Sequence, residues 1–201
     1  SQNLELLIEE GLDGAVIAGC TGESWMITDE EREELFELAV EVADNRCVVI
    51  GGTGQLTAEE NIHFCREAKD LGMDGVMILP PPMVHPNDEE IITFFSTISD
   101  SIDIPILVYN NPRRQGVDMP PELLLKLADI KNVAAVKEAS KDFGRVFEVI
   151  RLVGPKLKIF GGHSSYQGVS TIIMGADGWV GSLDTQLLGE EAIQMYQLIK
   201  A

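Results

Sequence analysis

The chain has 201 residues, 33 acidic and 15 basic, for a formal net charge of −18. That length fits one domain or two small ones, and a hydrophobic fraction of 45% is enough to bury a core without covalent staples. The acidic balance lacks the clustered Lys and Arg that nucleic acid or an anionic membrane demands, and no apolar run reaches the roughly 20 residues of a membrane span.

The chain opens on an amphipathic helix, Leu4–Glu10, without the basic start of a signal peptide. One pattern then repeats: a short apolar run ends in Gly or a polar loop, an amphipathic stretch follows, and another apolar run begins. The runs are Gly14–Ala18, Cys47–Ile50, Gly75–Leu79, Pro105–Tyr109, Val133–Val136, Leu157–Phe160 and Gly178–Gly181. Each is apolar on both faces, as strands of a covered parallel sheet are. The helices between them carry start signals. Thr28 with Glu31 and Thr57 with Glu60 form capping boxes. Asn87 reads as an N-cap, Pro120 and Pro121 suit a first helical turn, and Gly189–Ala201 closes the chain as a further amphipathic stretch.

Seven such strands leave an open doubly wound sheet or a (β/α)₈ TIM barrel within the α/β class. The even repeat and the lack of a GxGxxG opening favour the barrel. Seven strands are visible, so residues 1–201 read as a single barrel domain that is incomplete at both ends. The odd set Cys20, Cys47 and Cys65 has no CxxC spacing. It reads as free thiols of a reducing, cytoplasmic setting.

In parallel α/β folds, ligands sit at the carboxyl ends of the strands. Lys137 directly follows Val133–Val136 there. Desolvation would lower its pKa and leave a neutral amine able to form an imine with a ketone; equally, it could pair with a carboxylate such as Glu138. Tyr109, one strand earlier, could shuttle protons beside that imine or simply fill the core. Thr21 with Gly22 could hold a carboxylate through backbone N–H groups, or form an ordinary turn. Arg114 could clamp a second carboxylate, or be a solvated loop residue.

Metal is poorly supported. His63 lies mid-helix, and His85 and His163 lie on loops without ligand spacing. A phosphate site at 161–165 lacks a basic partner, and no cofactor motif is present. The acidic faces Asp29–Glu31 and Glu33–Glu34 read as solvated.

The order Gly19-Cys20-Thr21-Gly22-Glu23, then Tyr109-Asn110-Asn111-Pro112, then Val136-Lys137-Glu138-Ala139-Ser140 resembles the dihydrodipicolinate synthase / N-acetylneuraminate lyase superfamily. Ala68–Asp74 and Gly175–Gly178 resemble its helix-to-strand turns. The resemblance implies a class I, Schiff-base lyase or synthase of the barrel fold, without cofactor, acting on pyruvate or another 2-keto acid plus an aldehyde. Lys137 then matches the imine-forming lysine, Tyr109 the proton-transferring tyrosine and Thr21 the holder of the pyruvate carboxylate. Arg114 matches an arginine that the synthases keep for the second substrate. A 4-hydroxy-tetrahydrodipicolinate synthase-like condensation leads. A 2-keto-3-deoxy-sugar-acid or hydroxy-keto-acid aldolase, a catalytically impaired ligand-binding homologue and a metal-dependent aldolase are its rivals. A homotetramer or homodimer is implied.

Three departures stand against the family pattern. Cys20 replaces the Thr or Ser of the proton relay. Pro80–Val84 contains no tyrosine where the synthases carry one. The 201 residues read as lacking the first barrel strand and the C-terminal helical region of the family, which would leave two open sheet edges.

Overall fold

The computed structural model describes residues 2–162 and 164–200. The order of elements follows the alternation of the sequence. Helix α1 (Gln2–Glu9) leads into β1 (Gly14–Ile17), α2 (Asp29–Ala43), β2 (Val48–Gly52), α3 (Ala58–Asp70), β3 (Gly75–Ile78) and α4 (Asp88–Ser101). Next come β4 (Ile106–Asn110), α5 (Pro112–Gln115), α6 (Pro121–Leu127), β5 (Val133–Glu138) and α7 (Phe143–Val153). The chain closes with β6 (Lys158–Gly162), α8 (Ser165–Ile173), β7 (Gly178–Val180), α9 (Leu183–Leu188) and α10 (Glu190–Lys200).

The helix starts form as their residues dictate. Thr28 and Thr57 each accept from the backbone N–H three residues on, while Glu31 and Glu60 reach back to the cap N–H. Asn87 does the same with Glu90, so a third capping box starts α4. Each box satisfies N–H groups that the first helical turn leaves without partners.

The seven strands are all parallel and pair in sequence order, β1 to β7, as a nearly closed barrel. Among the described residues β1 and β7 do not pair, so the expected open edges are present. Two turns at the amino-terminal end of the barrel share one device. Gly72 (φ +93°) and Gly175 (φ +106°) take a left-handed conformation that disfavours a side chain. The aspartate that follows each one accepts from the neighbouring strand, Asp74 from Val49 N–H at 2.8 Å and Asp177 from Ile159 N–H at 2.9 Å.

Alternation along the strands sorts the apolar residues into two layers. Val76, Ile78, Ile106, Val108, Val136 and Ile159 face the helices and pack with Phe36, Phe95, Leu124 and Val149. Met77, Leu79, Leu107 and Tyr109 face the barrel interior, with Ala135, Ala139 and Phe160. One irregularity changes the phase. Ile106 pairs with Val133, but Leu107 pairs with Ala135, so Ala134 is an extra residue in β5. Val133 faces the helices, and strict alternation would turn Ala135 and Lys137 the same way. The bulge reverses this and turns them into the barrel.

Candidate active site

Lys137 lies inside β5 rather than after it. The strand runs on to Glu138 because Tyr109 and Asn110 of β4 continue the ladder opposite Lys137 and Glu138. Tyr109 and Lys137 are therefore register partners, and Lys137 Nζ stands 4.5 Å from the centroid of the Tyr109 ring. Among the described residues Lys137 makes no ion pair with a carboxylate. Burial in the apolar interior lowers its pKa to about 8, against a smaller raising effect from Cys20; the Arg114 charge adds a further lowering.

Glu138 is not its partner. Its carboxylate points to the opposite face of β5, where it accepts from Asn110 Nδ2 at 2.8 Å and from Ser140 N–H at 2.7 Å. Asn110 also exchanges hydrogen bonds with the Met119 backbone, its Nδ2 donating to the carbonyl and its Oδ1 accepting from the N–H. Burial raises the pKa of Glu138, while these bonds and Arg145 oppose the rise. The buried Asn110–Glu138 pair thus clamps the two strands one residue beyond the Tyr109–Lys137 pair. Both residues lie within motifs legible in the sequence, but nothing in those motifs shows that they pair with each other.

Tyr109 is buried, and its hydroxyl accepts from Asn111 Nδ2 at 2.8 Å. Burial pushes the phenol up to about 12, with the Asn111 hydrogen bond acting the other way; Cys20 raises it and Arg114 lowers it to smaller degrees. Cys20 packs against the same interior cluster. It opens a single 3₁₀ turn, Cys20–Gly22, that places Thr21 and Gly22 exposed at the mouth. The turn lies between two left-handed residues, Ala18 (φ 52°) and Glu23 (φ 56°). Gly52 of β2 lets this segment sit close, since a Cβ there would overlap the Ala18 carbonyl oxygen.

A second brace is Arg32, which lies among acidic neighbours in α2 yet is buried. It donates to the Gly52 carbonyl at 2.6 Å and the Ser24 carbonyl at 2.7 Å, and stacks over Phe64 at 5.0 Å. The β1–α2 loop is thereby tied to the end of β2. The charge pattern of α2 gives no sign of this; the neighbouring carboxylates are exposed, as a solvated face predicts.

Arg114 is exposed in α5 and makes no ion pair among the described residues. Its charge still acts on both Lys137 and Tyr109. The candidates Lys137, Tyr109 and Cys20 are thus together, with Thr21, Gly22 and Arg114 on the loops around them. His63 is away from them on α3, beside Glu67. His85 joins two mouth loops through Nδ1 and the Gly116 carbonyl at 2.8 Å. His163, read at the mouth and in the 161–165 loop, lies outside the described residues.

A parallel barrel with a desolvated lysine and a tyrosine paired at its carboxyl-terminal mouth defines the class of protein. The chain belongs to the dihydrodipicolinate synthetase family, whose model matches residues 1–201. A 4-hydroxy-tetrahydrodipicolinate synthase of Oceanobacillus iheyensis is 34% identical over 194 residues, which cover 96% of this chain and 65% of that protein. The one from Persephonella marina is 37% identical over 196 residues, covering 97% and 66%. A dihydrodipicolinate synthase from Acinetobacter baumannii, solved in complex with pyruvate, matches with a TM-score of 0.92 at 27% identity, covering 99% of this chain and 69% of that one. The chain thus spans just under two thirds of the curated relatives it matches.

Proposed function

We propose that the chain carries the site of a Schiff-base-forming enzyme that joins pyruvate to an aldehyde, as in 4-hydroxy-tetrahydrodipicolinate synthesis. The observation that carries this reading is the Lys137 amine, desolvated to a pKa of about 8 and set over the Tyr109 ring. The neutral amine attacks the keto carbon and gives a carbinolamine. Loss of water leaves a protonated imine, whose electron demand acidifies the neighbouring methyl group. The resulting enamine attacks the aldehyde, and hydrolysis of the product imine frees Lys137. Tyr109 moves protons to and from the substrate oxygen. Thr21 and the Gly22 backbone hold the pyruvate carboxylate, and Arg114 takes an acidic group on the aldehyde.

The A. baumannii relative that binds pyruvate supports this choice of keto acid. The tyrosine-free stretch Pro80–Val84 favours a second reading, an aldolase for 2-keto-3-deoxy sugar acids that shares the lysine step but takes a different partner. The proposal extends to a homodimer or homotetramer, since Trp25, Met26, Met83 and Val84 expose apolar side chains on loops beyond the carboxyl ends of β1 and β3; sedimentation measures that.

Borohydride trapping with pyruvate, followed by peptide mass spectrometry, tests the central step. A reduced pyruvyl adduct on Lys137 is expected. Folded protein that yields no adduct overturns the proposal.

A further inference from the structure

Asn111 stands at the N-cap of α5, directly before Pro112, where an asparagine side chain ordinarily caps the helix. Here it makes no capping hydrogen bond. The residue is fully buried, and its Nδ2 turns back to the Tyr109 hydroxyl at 2.8 Å. Its Oδ1 is buried without a hydrogen-bond partner among the described residues. Gln115 fixes the arrangement from beyond the turn, accepting from Asn111 N–H at 3.1 Å and donating to the Tyr109 carbonyl at 3.2 Å. An asparagine that leaves its cap unmade and one oxygen unpaired is held by the Tyr109 contact, because either vacancy is unfavourable on its own.

We infer that Asn111 is the positioning residue for proton transfer by Tyr109: its amide N–H holds the phenol oxygen and stabilises the phenolate that forms when the proton leaves. The inference rests on the imine reading and deepens it. When the carbinolamine on Lys137 dehydrates, Tyr109 gives its proton to the departing hydroxyl, which leaves as water. The nitrogen lone pair forms the C=N bond, so the products are a protonated imine and a tyrosinate. The amide N–H then points at the new negative charge without having to reorganise. The charged and titratable groups around that oxygen are Cys20 from the β1–α2 loop, Lys137 from β5 and Arg114 from α5.

The test uses Asn111→Leu, which removes both amide groups at similar volume, and Asn111→Asp, which keeps the shape but replaces the donating amide with a carboxyl group. The chain has three tyrosines, so ζ-¹³C-tyrosine labelling with a Tyr109→Phe control gives an assignable NMR signal. The Tyr109 resonance is expected to move in both variants while those of Tyr166 and Tyr196 stay. The rate of borohydride-trapped pyruvyl adduct formation, per folded molecule, is expected to fall roughly 10- to 100-fold in both variants. A Tyr109 resonance that stays in place in either folded variant overturns the inference, whatever the trapping shows. So does a moved resonance with an unchanged trapping rate. If wild type forms no adduct while the resonance moves, the hydrogen bond stands but the positioning role falls together with the pyruvate reading. A fall in melting temperature alone reports packing and counts against the role.

Discussion

The two faces of the β-sheet do different work. The outer face meets the helices in a continuous layer of aliphatic and aromatic side chains, all packed against one another. The inner face has a small apolar cluster that ends, at the carboxyl-terminal mouth, in Tyr109, Lys137 and Cys20. Burial on the outer face stabilises the fold. Burial on the inner face disfavours the charged lysine and favours its neutral amine. The same physical effect, removal from water, thus supplies stability on one side and a shifted lysine titration on the other.

Lys137→Met separates the two most sharply. Pyruvate turnover should fall by at least about 10⁴-fold, as for loss of a nucleophile. Stability at pH 7 should rise by up to about 3 kcal/mol, since the folded lysine titrates well below its unfolded value of about 10.4. The sign follows from the lowered pKa. The penalty for the buried charge is full below pH 8 and fades as the pH rises through about 8 toward the unfolded value. The stability gap between wild type and variant, measured by urea unfolding, should therefore close over that window. A gap that widens there contradicts the buried-amine account.

Deleting Ala134 tests the boundary between the faces. Without the extra residue, Val133 and Ala135 become neighbours in a regular ladder, and Lys137 keeps its inward place opposite Tyr109. The folded fraction should still form the pyruvyl adduct by mass spectrometry, at near wild-type yield. Loss of the adduct would show that the bulge itself, beyond the pairing of β4 with β5, holds the amine in place.

Ile78→Ala probes the outer face alone. Ile78 is wholly buried there, so a cost of about 2–5 kcal/mol is expected from chemical denaturation. The rate of adduct formation at a temperature where the variant is folded should stay near that of wild type. A large loss of rate would mean that the two faces are mechanically coupled.

The smallest effect is expected at Ala18, held at φ 52° beside the mouth turn. Ala18→Gly should relieve left-handed strain and raise stability by about 1 kcal/mol, read as a shift in denaturant midpoint. A destabilised variant would show that the Ala18 methyl group contributes more by packing than the strain costs.

Local chemistry made much of this legible in the sequence. Thr28, Thr57 and Asn87 start their helices as expected, since a cap depends on residues within one turn of it. The apolar runs mark all seven strands, but their ends move by a residue or two. Lys137 itself passes into β5, because a strand ends where its neighbour stops pairing rather than where its own residues turn polar. The order of motifs pointed to Lys137, Tyr109, Cys20, Thr21 and Arg114. It gave no hint of Arg32; Asn110, Asn111 and Glu138 lie within those motifs, but their bonding did not show, because the partners of Arg32, Asn110 and Glu138 are distant in sequence and that of Asn111 depends on how the end of β4 turns into α5.

By itself the amino-acid order determined the alternation of strands and helices, the parallel α/β class and the candidate side chains at the strand ends, because periodicity, caps and residue chemistry are properties of short segments. The tertiary structure decided which way those side chains point. A single extra residue at Ala134 sets the phase of β5, and that phase follows from how β4 and β5 pair across the barrel. The same pairing places the amine over a phenol and the carboxylate next to it on the far side of the strand, an outcome of register between distant segments that no local pattern encodes.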